Sequence, residues 1–268
     1  MPVVVVALAV GALVGFVSGL TGIGGGVLMV PFLYLLYGRL HVPAGDATVL
    51  AHATSLAVIV PTAIRGLYGY RGLNVVKWRA SLPLAVVSAV AAAATAPFAT
   101  RVPHPVLRVG FGLFLLAMAA DLVLRRDNRK GAPATGRAPT IGAALLGVPV
   151  GALSAALGIG GGVPATMGMY YVLHLPFEVL APTSLAVIAV TAFGGTASYL
   201  FTPTPAVPFG WVVGQVDLLH GLPLAVGAVI AAPLGVWLNR RLPVMTLRRV
   251  FGVLLAAIGA DLVIENLR

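Results

Sequence analysis

The sequence predicts an all-α polytopic membrane protein made of two copies of one helical unit. Three observations carry that reading. The 268-residue chain is 59% hydrophobic and only 9% charged, where a soluble domain carries about 25% charged residues. The hexapeptide Gly22-Ile23-Gly24-Gly25-Gly26-Val27 recurs as Gly158-Ile159-Gly160-Gly161-Gly162-Val163. Apolar stretches also follow one another in the same order on either side of a basic, Gly- and Pro-rich linker.

A spanning helix needs about 20 mostly apolar residues. Candidate membrane segments in the first half are 3–20, 27–37, 47–67, 78–98 and 106–124; in the second they are 140–157, 163–173, 179–201, 216–238 and 245–264. The start, Met1-Pro2-Val3-Val4-Val5-Val6, lacks the basic opening of a secretory signal, so it reads as the first membrane segment. The chain divides into a first transmembrane repeat (1–124), a basic cytoplasmic linker (125–139) and a second transmembrane repeat (140–268).

The duplication extends far beyond the glycines. Thr54-Ser55-Leu56-Ala57-Val58-Ile59 returns as Thr183-Ser184-Leu185-Ala186-Val187-Ile188. From Pro83 against Pro223 to Val123 against Val263 the halves align without a gap, with 18 identities over 41 positions, among them Arg101/Arg241, Pro103/Pro243, Arg108/Arg248 and Asp121/Asp261. Two unrelated apolar helices would not keep Pro, Arg and Asp in register.

Basic residues set the orientation. Between the third and fourth segments the first half carries Arg65, Arg71, Lys77 and Arg79, whereas the second half carries no charge from Thr202 to Gln215. The next connection reverses the bias, with Arg101 and Arg108 against Arg240, Arg241, Arg248 and Arg249. Positive-inside counting is met when corresponding connections lie on opposite sides, which means inverted repeats. Segments 27–37 and 163–173 are too short to span at 1.5 Å per residue. Each repeat is therefore expected to hold a glycine-broken, re-entrant helix pair followed by three transmembrane helices. A strongly tilted full crossing of each broken segment is the other arrangement that preserves inversion.

The glycine breaks are the leading candidate site. Three consecutive glycines interrupt a helix, each being about 1 kcal/mol worse than Ala in its interior. The N–H groups opening the next half-helix have no intrahelical partner and lie at the positive end of its dipole, which suits an anion. Gly22, Gly24, Gly25, Gly26 and Val27, with Gly158, Gly160, Gly161, Gly162 and Val163, are thus the expected substrate contacts. Tight helix crossing through small residues is the competing explanation. Thr54, Ser55, Thr183 and Ser184 rank second, because hydroxyls can donate to an oxyanion, although in membranes they often bond back to a helical carbonyl. His52 is the coupling candidate, being an ionisable group inside a span, or else a histidine hydrogen-bonded between helices. Asp46 and Asp217 read as helix caps, Asp121 and Asp261 as interfacial pairing groups, and Trp78, Trp211 and Trp237 as interface anchors.

Several function classes recede. The net charge of +10 falls mostly in short segments between apolar spans, not on a contiguous nucleic-acid-binding surface. With no Cys, thiolate chemistry is excluded, and the five histidines are scattered, so neither a metal nor a cofactor is expected. No nucleotide-binding sequence is present. Ser18 with His52 as base would make an intramembrane hydrolase, but packing by a small residue explains Ser18 more simply. An anion channel is the other rival to a carrier.

The residues Gly15, Gly19, the Gly22–Gly26 break with Pro31, then Ala53-Thr54-Ser55-Leu56, and in the second half Gly151, the Gly158–Gly162 break and Thr183-Ser184-Leu185, resemble the pattern of the TauE/SafE family of sulfite exporters and sulfonate permeases. The likeness covers essentially the whole chain. The second half departs at Pro31, since Pro164 lies nearer its glycines. The resemblance implies a secondary transporter of a small sulfur-containing anion (sulfite, sulfoacetate or another organosulfonate); the composition suggests a bacterial cytoplasmic (inner) membrane, and the inverted repeats suggest alternating access. The expected partners are that anion, the lipid bilayer, H⁺ or Na⁺ as coupling ion with His52 the first residue to test, and a second copy of the chain in a homodimer.

Overall fold

The protein is described by a computed structural model for residues 2–124, 140–205, 207–241 and 244–267. The linker 125–139 and the side chains of Asp121 and Arg248 lie outside the described residues. The first half forms α1 (Pro2–Thr21), α2 (Gly26–Arg39), α3 (Ala44–Tyr68), α4 (Trp78–Ala99) and α5 (His104–Leu124). The second forms α6 (Thr140–Leu157), α7 (Gly162–Tyr171), α8 (Phe177–Leu200), a short hairpin of β1 (Val212–Val213) and β2 (Val216–Asp217), α9 (Leu218–Asn239) and α10 (Val244–Leu267).

Most boundaries follow the hydropathy pattern, and six of the described helices are long and apolar enough to cross a membrane. The two segments after the glycines are short helices, 14 residues in α2 and 10 in α7, or about 21 and 15 Å long. Pro31 lies inside α2, while Pro164 occupies the first turn of α7, where the missing N–H of proline costs no intrahelical bond. One boundary differs from the sequence expectation. Val216 and Asp217 pair with Val213 and Val212 as an antiparallel hairpin, so α9 starts at Leu218.

Packing exchanges the halves. α1 lies mainly on α9 and α6 on α4; α3 contacts α9 as α8 contacts α4; α3 meets α8 and α5 meets α10. Every one of these pairings maps onto another, or onto itself, when the repeats are swapped. Glycines fix the senses of the helices. A Cβ on Gly11, Gly15 or Gly19 would lie 2.0–2.2 Å from the carbonyl oxygen of Leu224, Ala228 or Ala232, so α1 and α9 run in the same direction. Gly147 and Gly151 similarly set α6 alongside α4. In contrast, Gly66 faces Leu185 while Gly195 faces Leu56, so α3 and α8 run in opposite senses. Gly112 faces Val263 and Gly259 faces Leu116, which opposes α5 and α10 as well.

The outer surface is apolar. Leu82, Val86 and Val90 on α4, and their counterparts Leu222, Val226 and Ile230 on α9, are each at least half exposed. An outward stripe of this kind suits lipid, and the interior is left to α3 and α8. The protein is a multi-pass membrane protein.

Close backbone contact through glycine gives a first prediction. Gly15→Ala puts a methyl group 2.0 Å from the Ala228 oxygen and is expected to destabilise by about 1–3 kcal/mol. The detergent-purified variant should show a lowered thermal unfolding midpoint. Gly110→Ala meets nothing within 4 Å and should not lower it.

Candidate functional site

Each glycine break is made of left-handed backbone. Gly22, Gly24 and Gly25 have φ of 72°, 87° and 74°, and Gly158, Gly160 and Gly161 have 66°, 70° and 75°. Side chains disfavour this region, which explains why the sequence places glycine at all six positions. Gly25 and Gly161 are the N-caps of α2 and α7.

The two breaks meet. A Cβ on Gly26 would lie 2.7 Å from the Ile159 Cα and 2.8 Å from the Gly158 oxygen, and one on Gly162 would lie 2.0 Å from the Ile23 oxygen. Ile59 of α3 and Ile188 of α8, equivalent residues of the repeated Thr-Ser-Leu-Ala-Val-Ile sequence, both pack on Gly24 and Gly160. All of the glycines in both breaks are buried.

The peptide N–H groups of Gly24, Gly25, Gly26 and Val27, and those of Gly160 and Gly161, form no backbone hydrogen bond to the described residues, whereas residues 160–161 form a turn that engages the start of α7. Ser18 lies beside Gly25 and Ser154 beside Gly161, and both hydroxyls are buried without a partner. Ser55 is also buried and unpartnered. Buried polar groups left unpaired are rare and cost about 1–3 kcal/mol each. Here Ser18 and Ser154 place one such hydroxyl beside each helix start.

The remaining candidates are already engaged. The Thr54 hydroxyl accepts from the Asp217 N–H at 2.9 Å, and the Thr183 hydroxyl accepts from the Lys77 N–H at 3.2 Å. Lys77 and Asp217 are the N-caps of α4 and α9, so each threonine holds the helix start of the other repeat. Ser184 donates to the carbonyl oxygens of Gly22 and, at 3.1 Å, Ala181. His52 is fully buried and hydrogen-bonds through Nε2 to the Tyr34 hydroxyl, while its Nδ1 has no partner. It abuts the second break, since a Cβ on Gly158 would lie 2.6 Å from the His52 Cα. Arg108 stacks over Tyr34 with its Cζ 4.4 Å from the ring centroid, and its Nε donates to Thr48 at 3.0 Å.

One acid departs from its expected role and another exceeds it. Asp46 lies in the first turn of α3, but Pro43 is the N-cap and no side chain caps it. Asp217 does cap α9, accepting from the His220 N–H at 3.1 Å. It does more besides: it is fully buried, accepts from the Tyr37 hydroxyl at 3.1 Å and lies 2.6 Å from the His220 Nδ1. A signal for this was present, since Asp217 is the one charged residue in the whole stretch 179–239. Asp261, Trp78, Trp211 and Trp237 are exposed.

The family described as "Sulfite exporter TauE/SafE" matches residues 7–262. The chain belongs to the TauE/SafE family. Relatives of this TauE/SafE chain carry transporter names. A protein of Methanocaldococcus jannaschii named "Probable membrane transporter protein" is 27% identical over 254 residues, covering 94% of this chain and 92% of the relative. "Probable membrane transporter protein YunE" of Bacillus subtilis is 25% identical over 280 residues, covering 98% of both chains. A further "Probable membrane transporter protein", from Haemophilus influenzae, is 27% identical over 271 residues, again covering 98% of both. No solved structure matches the chain significantly. This TauE/SafE protein is thus a membrane transporter by family and by its relatives.

The crossed threonine clasps predict that Thr54→Val and Thr183→Val each destabilise the protein by about 1–3 kcal/mol, because each strands a helix-opening N–H. Thermal unfolding of each purified variant measures the loss, and Thr→Ser is expected to restore most of it.

Proposed function

We propose that the protein is a secondary transporter of a small sulfur-containing anion, such as sulfite, sulfoacetate or another organosulfonate. It works by alternating access between two inverted repeats. The observation that carries this reading is the meeting of two helix N-termini at buried glycine breaks, with Ile59 and Ile188 packed on both and N–H groups of the breaks left without a backbone partner. Peptide donors and the positive ends of two helix dipoles bind an anion without a fixed buried cation, which favours ready release. The hydroxyls of Ser18, Ser55 and Ser154 add candidate donors; Ser184 lies at the first break through its bond to the Gly22 carbonyl oxygen, and Thr54 and Thr183 would join only on release of the helix starts they hold.

Inversion is supported by the opposed senses of the equivalent pairs α3/α8 and α5/α10. Taking α1, α3 and α9 as rising and α4, α6 and α8 as falling, one end gathers Arg65, Arg71, Lys77, Arg79, Arg240 and Arg241 together with both attachments of the basic linker. That end is cytoplasmic by the positive-inside rule, and a cavity of about 370 Å³ bordered by Tyr68, Arg71, Asn74 and Trp78 opens there. With Ile59 and Ile188 packed on both breaks, the described state is closed, and substrate entry requires α3 and α8 to separate. His52, the coupling candidate named from the sequence, lies against the second break with its Nε2 held by Tyr34.

The channel and the hydrolase fit less well. Buried, interlocked breaks with Ile59 and Ile188 packed on both favour a carrier over an open channel. Ser18 has no hydrogen bond to a base, and the His52 Nε2 is committed to Tyr34. Purified protein in vesicles should take up one or more of labelled sulfite, sulfoacetate, taurine and sulfate, without channel-scale current. Gly25→Val and Gly161→Val should insert normally yet abolish uptake. Wild-type-like uptake by both variants would remove the glycines from the site.

A further inference from the structure

The transporter reading leaves one buried acid–base group unused: Asp217 and His220 at the start of α9, with Tyr37 of α2. We propose that this group is a one-proton carrier that couples anion movement to a proton gradient from the non-cytoplasmic side; the proposal rests on the transporter reading. The geometry is that of a proton site. The Asp217 side chain is fully buried, and the His220 side chain keeps 9% exposure. His220 therefore forms the outlet and Asp217 the interior end. The His220 Nδ1 faces Asp217 Oδ2 at 2.6 Å. An ionised carboxylate only accepts, so Nδ1 carries a hydrogen, and Nε2 is the atom that gains or loses the moving proton.

The surroundings favour a proton over a metal cation. Three donors face the Asp217 carboxylate: the Tyr37 hydroxyl and the His220 N–H at 3.1 Å each, and Nδ1. A hard cation needs a shell of oxygen acceptors instead. Among the described residues, α2 contributes Tyr37 and ends in Arg39, α3 contributes Thr54 and carries Asp46, the buried His52 and Arg65, and α1 has no charged residue. Tyr199 of α8 gives its hydroxyl to the Ala155 carbonyl oxygen. Phe209, in the α8–α9 connection, covers the group, edge-on to His220 at 5.2 Å and stacked with Tyr37 at 6.0 Å.

Asymmetry points to coupling and not to repeated architecture. The aligned residues of the first half are Lys77 and Ala80, which hold no proton-exchanging pair. The group also reaches the anion site. Thr54, which holds the Asp217 N–H, lies five residues before Ile59 on α3, about 7.5 Å along the axis. Protonated, the imidazolium–carboxylate pair is neutral overall. When His220 Nε2 releases its proton, one net negative charge remains inside a low-dielectric interior and opposes an anion nearby. Proton and anion therefore enter together and leave together, one for one.

The test uses the full chain in vesicles with ³⁵S-labelled sulfoacetate, and ³⁵S-labelled sulfate in parallel. Equilibrium exchange of label, which needs no driving ion, is measured beside accumulation driven by a pH gradient or by a Na⁺ gradient. Wild type is expected to exchange label and to accumulate it under the pH gradient alone. Asp217→Asn, which keeps a good helix cap, and His220→Gln are expected to exchange label but lose the accumulation. Accumulation that persists in both variants, or that follows Na⁺ in the wild type, overturns the carrier. Loss of exchange in both variants overturns it too, by placing the pair in the fold or the anion site. Absence of exchange in the wild type with both probes sinks the transporter reading itself.

Discussion

The interlock of the two glycine turns is the constraint on which the rest of the fold depends. Each turn needs left-handed backbone, so it needs glycine, and the absence of side chains lets Gly26 and Gly162 approach the backbone of the opposite turn. Helices α2 and α7 can then begin at the centre of the protein. Their first residues are held there by the surrounding helices, and Ile59 and Ile188 fill the space that side chains would otherwise take. In a bilayer such broken backbone persists only where protein or a watery cavity surrounds it. The burial of both turns meets that condition.

The same contact explains why neither half stands alone. α1 packs on α9 and α6 on α4, so each repeat lends its first helix to the other. Thr54 and Thr183 repeat the exchange in hydrogen bonds, each clasping the helix start of the opposite repeat. These two hydroxyls are therefore structural at rest.

Much of this was legible in the sequence, for physical reasons that differ by element. Long apolar segments fix α1, α3, α4, α6, α8 and α9, because a span is a matter of length and composition. The breaks were legible because only glycine tolerates their backbone, and the repeat made coincidence untenable. Sequence did not reveal that the Thr54 and Thr183 hydroxyls are taken, since their partners are peptide groups more than 100 residues away. It also reduced Asp217 to a cap. Its burial depends on a two-residue-strand hairpin and on Tyr37, 180 residues earlier, and neither leaves a local periodic signal. Asp46 failed as a cap because Pro43 holds that position.

The pairing of α1 with α9 bears on how the chain is made. Gly11 and Leu224, which touch in the finished protein, are separated by most of its length. At ribosomal speeds of about 5–20 residues per second, roughly 10–40 s pass between the synthesis of the two residues. During that interval the glycine-lined face of α1 has only lipid, or an insertase, to rest against. The glycine face of α1 therefore stays unfilled in the bilayer until α9 is made.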